Sequence, residues 1–140
     1  MGPDGATPKK LLLVDDFRDI VLATRIFLEG EGYEVLEAYD GVQAIDILKA
    51  ETPDLIILDV MMPRMDGWAT LTKIQADPRL VGIPVLMLTA LNDPINIKTG
   101  IDLGCTWYYT KPIASYPDFA LIIRRILEGL EPPASETLGD

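Results

Sequence analysis

The 140 residues fit one compact domain with a real core, and 49% apolar against 24% charged residues is the balance of a folded, soluble chain rather than a disordered one. The net charge of −10, from 22 acids against 12 bases, opposes approach to a nucleic-acid backbone and excludes direct nucleic-acid binding as a first reading. Histidine is absent, so neither a Ser-His or Cys-His nucleophile nor a histidine metal site can be built.

Taken in chain order, residues 1–8 are rich in Gly and Pro and read as a flexible tail. The apolar run LLLV at 11–14 ends at Asp15 and Asp16 and suits a strand covered on both faces. Over 17–29, Ile20, Ala23, Thr24, Phe27 and Leu28 keep helical spacing, and Gly30 is expected to stop that helix. Residues 33–39 alternate in polarity and predict a strand nearer an edge. A helix follows over 41–50, with Val42, Ile45 and Ile47 or Leu48 on one side and Pro53 beyond its end. The run LIIL at 55–58 ends at Asp59, a helix is predicted over 68–75, and the strand at 85–88 ends at Thr89. Another helix over 95–103 precedes a β-branched and aromatic strand at 106–110, which runs into Lys111 and Pro112. In the last helix, 119–130, Phe119, Ile122, Ile123, Ile126 and Leu130 share a face, which leaves Leu121 exposed among Arg124, Arg125 and Glu128. Residues 131–140 read as a second tail, so the domain is 9–130.

Five strands alternating with five helices define an α/β domain. Right-handed crossovers then put helices on both faces of one parallel sheet, a doubly wound, flavodoxin-like fold with strand order 2-1-3-4-5. Ligands in that architecture sit beyond the carboxyl ends of the strands. Asp15, Asp16, Asp59, Thr89 and Lys111 all fall there. Three carboxylates at one rim repel and raise one another's pKa unless a hard divalent cation neutralises them, and Mg2+ suits carboxylates, a carbonyl and phosphate oxygens. Asp59 can attack a phosphoryl group, while Lys111, the Thr89 hydroxyl and the Ala90 N–H can hold its oxygens. Any phosphohistidine donor must belong to another protein. Singly, each residue has a plainer explanation: a helix cap for an aspartate or threonine, a solvated surface lysine. Four strand ends together outweigh those explanations. No Gly-rich phosphate loop of the nucleotide-binding types occurs. Cys105 reads as a small apolar filler that cannot form an internal disulfide, and together with the absence of a signal-like start or a long apolar stretch it predicts a cytoplasmic protein.

The motifs LLLVDD, DLIILDVMMPRMDG, VLMLTA and YYTKP, in that order, resemble the receiver domain of two-component response regulators, of the single-domain chemotaxis type, over about residues 9–130. The resemblance implies that Asp59 is the phosphorylation site. It also implies that Asp59 and Asp16 bind Mg2+ directly, Asp15 binds it through water, and the Met61 carbonyl supplies a further ligand. Pro63 and Gly67 match the turn into the following helix, Lys111–Pro112 is expected to be cis, and Tyr108 matches a switch aromatic that turns inward as Thr89 moves toward the phosphate. Tyr109 stands where an aliphatic residue is usual. Implied partners are a sensor histidine kinase or histidine phosphotransfer protein and an unknown protein target, with no membrane partner; a homodimer through the last-helix face, at Leu121 and Arg124, is a further expectation. Output by protein–protein binding is expected from a stand-alone receiver; the alternative is a fragment of a larger regulator. A Mg2+ hydrolase forming an aspartyl-phosphate would use a similar set but would want an acid two residues past the nucleophile, where Met61 stands. No metabolic substrate is therefore expected. Met61 and Leu91, both apolar, offer nothing to orient an attacking water, which predicts slow self-dephosphorylation.

Overall fold

The computed structural model describes residues 7–131. Apart from Thr7, Pro8 and Glu131, the two predicted tails lie outside the described residues. The elements alternate strictly: β1 (Lys10–Val14), α1 (Arg18–Gly30), β2 (Glu34–Ala38), α2 (Gly41–Leu48), β3 (Leu55–Leu58), α3 (Gly67–Ala76), β4 (Val85–Thr89), α4 (Pro94–Asp102), β5 (Trp107–Thr110) and α5 (Tyr116–Leu127). All strand pairs are parallel, in the predicted order β2-β1-β3-β4-β5. β3 and β4 are buried along their whole length and β1 from Leu11 onward, as their unbroken apolar runs require. β2, at one edge, is half-open.

Strand alternation sends side chains into two separate cores. Leu12, Val14, Ile56, Leu58, Val85, Met87 and Tyr108 meet α2, α3 and α4 on one face. Leu11, Leu13, Leu55, Ile57, Leu86, Leu88 and Tyr109 meet α1 and α5 on the other. Four helices start at a polar residue whose side chain accepts from an N–H of the first turn: Asp40 from Gln43, Asp66 from Ala69, Asp93 from Asn96, and Ser115 from Asp118. Each such cap is worth about 1 kcal/mol. α1 has Phe17 in the cap position and no side-chain cap, but the Phe17 N–H is held by Asp15 Oδ1 at 3.0 Å. A site residue thereby fixes where α1 begins.

Several boundaries and faces differ from expectation. α1 runs through Gly30, and the chain reverses at Gly32, which takes φ +96° where a side chain would be strained. Its buried stripe is Val21, Thr24 and Leu28, while Ala23 is exposed. α2 turns Gly41, Ala44 and Leu48 inward, leaving Val42, Ile45 and Ile47 half-buried. In α2 the small residues Gly41 and Ala44 permit close approach and take inner positions that size alone assigned to Val42 and Ile45, whereas in α1 the stripe is rotated, with Val21 inside and Ala23 outside. α5 begins at Tyr116, and Leu130 lies past its end and is exposed. Leu121 is half-buried, so it is not the exposed leucine that helical spacing implied, although Arg124 is exposed.

Candidate functional site

Parallel strands deliver their carboxyl ends to one rim, so residues far apart in sequence meet there. Asp15 follows β1, Asp59 follows β3, Thr89 ends β4 and Lys111 follows β5. Asp15 and Asp59 are nearly closed off, at 2% and 6% exposure, whereas Asp16 faces solvent. One carboxylate oxygen from each of the three lies within 4.8 Å of the others. The Lys111 ammonium bridges the two buried acids, donating to Asp15 Oδ2 and, at 3.0 Å, to Asp59 Oδ2. The outer oxygens are also occupied: Asp15 Oδ1 accepts from the Phe17 N–H, and Asp59 Oδ1 from the Val60 N–H at 2.7 Å.

Burial raises the Asp15 pKa, opposed by the hydrogen bonds from Lys111 and Phe17, with the Asp59 charge a minor contribution. The sequence reading made mutual repulsion the main cause; loss of water is the larger one. For Lys111, burial acts against the charged form, but the Asp15 hydrogen bond and the Asp59 and Asp15 charges prevail, so its pKa is raised and it stays an ammonium ion. Three carboxylates, two dried by burial and a third at a solvent-facing mouth, with the single Lys111 ammonium between the buried pair, are a set a divalent cation fits. The acidic pocket of Asp15, Asp16 and Asp59 can hold a metal.

Around this centre, Thr89 is fully buried and its Oγ1 accepts from the Leu91 N–H at 3.4 Å, while Ala90 is exposed at the rim. The Lys111–Pro112 peptide is cis, as the resemblance implied. Tyr108 is wholly buried against the α4 face, and its hydroxyl donates to the Leu91 carbonyl at 2.6 Å. Burial pushes that phenol up to about 12. Tyr109 points to the opposite core and meets Phe119 edge-on at 5.3 Å between ring centres. Cys105 is half-buried, and burial pushes its thiol up to about 11, which keeps it an unreactive thiol as its filler reading required.

The loop after Asp59 carries the remaining site residue. Met61 is 55% exposed, and since a thioether is a poor ligand for a hard cation, its carbonyl oxygen is the only atom of it suited to one. The Gly67 N–H donates to the Val60 carbonyl at 2.8 Å and closes this loop at its base. A side chain at Gly67 would collide with the Asp59 carbonyl oxygen and stand 2.7 Å from Val60 Cα, which explains a glycine here. Sequence reasoning missed Asp40 and Arg64, which join across the loops after β2 and β3: Arg64 Nε donates to Asp40 Oδ2 at 2.9 Å and the terminal nitrogen to Oδ1 at 3.3 Å. The only sequence signal was a pair of opposite charges 24 positions apart. It also missed a mainly apolar cleft of about 480 Å³ that runs from Lys111 and Ala90 between α1 and the start of α5.

Comparison with known proteins bears directly on this pocket. The family model described as "Response regulator receiver domain" matches residues 11–120. The chain is 40% identical over 106 residues to the alkaline phosphatase synthesis transcriptional regulatory protein PhoP of Bacillus subtilis, covering 76% of this chain and 43% of that protein. It spans about half the length of the curated relatives it matches. Among solved structures, the signal receiver domain of a signal transduction histidine kinase from Syntrophus aciditrophicus superimposes with TM-score 0.80 at 33% identity, covering 94% of this chain and 99% of that one. A phosphorylated cyanobacterial phytochrome response regulator, RcpA, aligns with TM-score 0.75 at 31% identity over 87% of this chain and 93% of its own. The ordered rim motifs, the strand order and these matches agree: the chain belongs to the response regulator receiver domain family, a signalling switch.

Proposed function

We propose that Asp59 accepts a phosphoryl group from a phosphohistidine on a partner kinase or phosphotransfer protein, in a Mg2+-dependent reaction in the cytosol. The observation that carries this is the shared lysine. Lys111 holds a buried Asp59 oxygen with a positive charge already in place where a transferred phosphoryl group would need it. In the transfer, an Asp59 carboxylate oxygen forms the new bond to phosphorus as the phosphorus–nitrogen bond breaks. The electron pair leaves with the donor imidazole, which takes up a proton. Asp16, Asp59 and the Met61 carbonyl would bind Mg2+ directly and Asp15 through water, and the bound ion would neutralise the phosphoryl oxygens. Lys111, the Thr89 hydroxyl and the Ala90 N–H hold those oxygens. This chain has no histidine, so the donor imidazole lies outside these 140 residues. The apolar cleft beside Lys111 leaves that side of the site open to it.

The new dianion draws Thr89 and Lys111 toward Asp59, and Tyr108, tied to the segment after Thr89 through the Leu91 carbonyl, reports that shift to the α4 side of the domain. Output is a changed protein-binding surface, with the last-helix face around Arg124 one place where a second copy could pair. Where the chain is part of a larger regulator, the same switch would act on whatever is attached.

Incubation with acetyl phosphate and Mg2+, followed by intact mass spectrometry, tests the reading. One phosphoryl group should appear on the wild type and none on Asp59→Asn, and the adduct should decay over minutes or longer, because Met61 and Leu91 offer no polar atom to an attacking water. Catalytic turnover of phosphomonoesters would replace this reading with a hydrolase, and decay within seconds would overturn the slow-release part alone.

A further inference from the structure

The loop of residues 60–66 carries Met61, whose carbonyl the proposed site assigns to the cation, yet beyond the buried Val60 it is exposed or half-buried and contains a backbone conformation that resists being held. Arg64 takes φ +67°, in the left-handed region that costs a non-glycine residue about 1 kcal/mol or more. It is the only non-glycine residue with positive φ among the described residues. The Met65 N–H donates back to the Pro63 carbonyl at 2.7 Å, making a tight three-residue turn centred on Arg64. That conformation persists because three ties act on it. Gly67 closes the loop on Val60, the Gly41 N–H donates to the Met65 carbonyl at 3.1 Å, and the Arg64 guanidinium grips both oxygens of Asp40. The first two ties are backbone bonds; the third is a side-chain choice.

Asp40 is a fixed anchor rather than a mobile surface acid. It is 6% exposed, caps α2 through the Gln43 N–H at 2.8 Å, and has its carboxyl held below the usual range by Arg64 and that N–H. The next residue, Gly41, lies so close to the loop that a side chain there would stand 2.6 Å from the Met65 carbonyl. From these contacts we infer that the Arg64–Asp40 pair is a latch that holds the Met61 carbonyl at the metal pocket, so that both residues position a ligand of the cation without touching it. This rests on the reading of Asp15, Asp16, Asp59 and Met61 as a Mg2+ site. Mg2+ demands near-ideal octahedral geometry, whereas Ca2+ accepts irregular sets, so a latch on one ligand tunes the choice between them.

Arg64→Gly tests the latch cleanly, because glycine adopts the left-handed conformation without cost and the turn itself survives. Mg2+ and Ca2+ affinities of the unphosphorylated protein are measured by calorimetry, beside urea unfolding in metal-free buffer. The latch predicts about a tenfold loss of Mg2+ affinity, the scale seen when groups supporting metal ligands are removed. Ca2+ affinity should change much less, and the metal-free unfolding midpoint should barely move. Asp40→Asn, which keeps the α2 cap, should reproduce the loss, and the double variant should add nothing to it. Unchanged Mg2+ affinity in Arg64→Gly overturns the latch, as does a parallel fall for both ions. A wild type that binds no Mg2+ at millimolar concentration overturns the metal-site reading and the latch with it.

Discussion

The two faces of the sheet differ in how close their helices come. Against α1 and α5 the space is filled by bulk: Phe119, Ile122, Ile123 and Ile126 from α5 and Val21 and Leu28 from α1, with Tyr109 edge-on to Phe119. Against α2, α3 and α4 the large buried residues Leu48, Leu71, Ile74 and Ile97 alternate with small ones, Gly41 and Ala44, Gly67 and Thr70, and Gly100. Bulk on one side makes a firm backing. Close backbone approach on the other puts the start of α3 against Asp59, the start of α2 against the loop that follows it, and Tyr108 beneath the segment after Thr89. The face that carries the glycines is therefore the one whose helices touch the backbone around the acidic pocket, and a proposed switch at Asp59 would act through it first.

Substitutions on each face can break that contrast. The largest effect on stability is expected from Phe119→Ala, which empties a fully buried aromatic position and should cost about 3–5 kcal/mol in urea unfolding. Phosphoryl uptake per folded molecule should stay near wild type; a specific loss of uptake would mean the backing is part of the switch. Gly67→Ala should cost less stability, about 1–3 kcal/mol, because the added methyl displaces the backbone of Asp59 and Val60. Uptake from acetyl phosphate should nevertheless fall more than in Phe119→Ala, and the reverse order would abolish the distinction between the faces.

Tyr108→Phe is the mildest change. It removes the hydroxyl bonded to the Leu91 carbonyl and should cost about 1 kcal/mol at neutral pH, leaving phosphoryl uptake intact while weakening phosphorylation-dependent binding of a target. Its pH dependence has a definite sign. The folded phenol, at about 12, holds its proton more tightly than the ordinary tyrosine value of 10.0, so this contribution is complete below pH 10 and is lost as pH rises toward 12. Unfolding curves over that window should show the wild type losing stability faster than Tyr108→Phe. Parallel curves would mean that the buried hydroxyl is not what resists ionisation.

Asp59, Asp15, Thr89 and Lys111 were legible because each is a polar residue at the end of a run of apolar or aromatic ones, and a parallel sheet sends all such ends to one side. Tyr108 was expected from the resemblance to be a switch aromatic that turns inward; in this structure it is already wholly buried, because strand alternation puts it on the α4 face. The innermost residues of α1 and α2 were not legible, since helical spacing defines a stripe but not how near a neighbouring backbone will come. Arg64 and Asp40 were hidden for another reason: either charge alone is ordinary in a loop, and nothing in the sequence between these two residues, 24 positions apart, says the two loops touch.

By itself, then, the sequence determined the order of strands and helices, the parallel sheet and the rim on which the acids, threonine and lysine collect, because those depend on periodicity and on where apolar runs stop. Only the tertiary structure decided that Lys111 is shared between Asp15 and Asp59, that burial rather than repulsion raises Asp15, and that Arg64 is clamped to Asp40. Those features depend on distances between segments brought together by packing, and local periodicity carries no information about such distances.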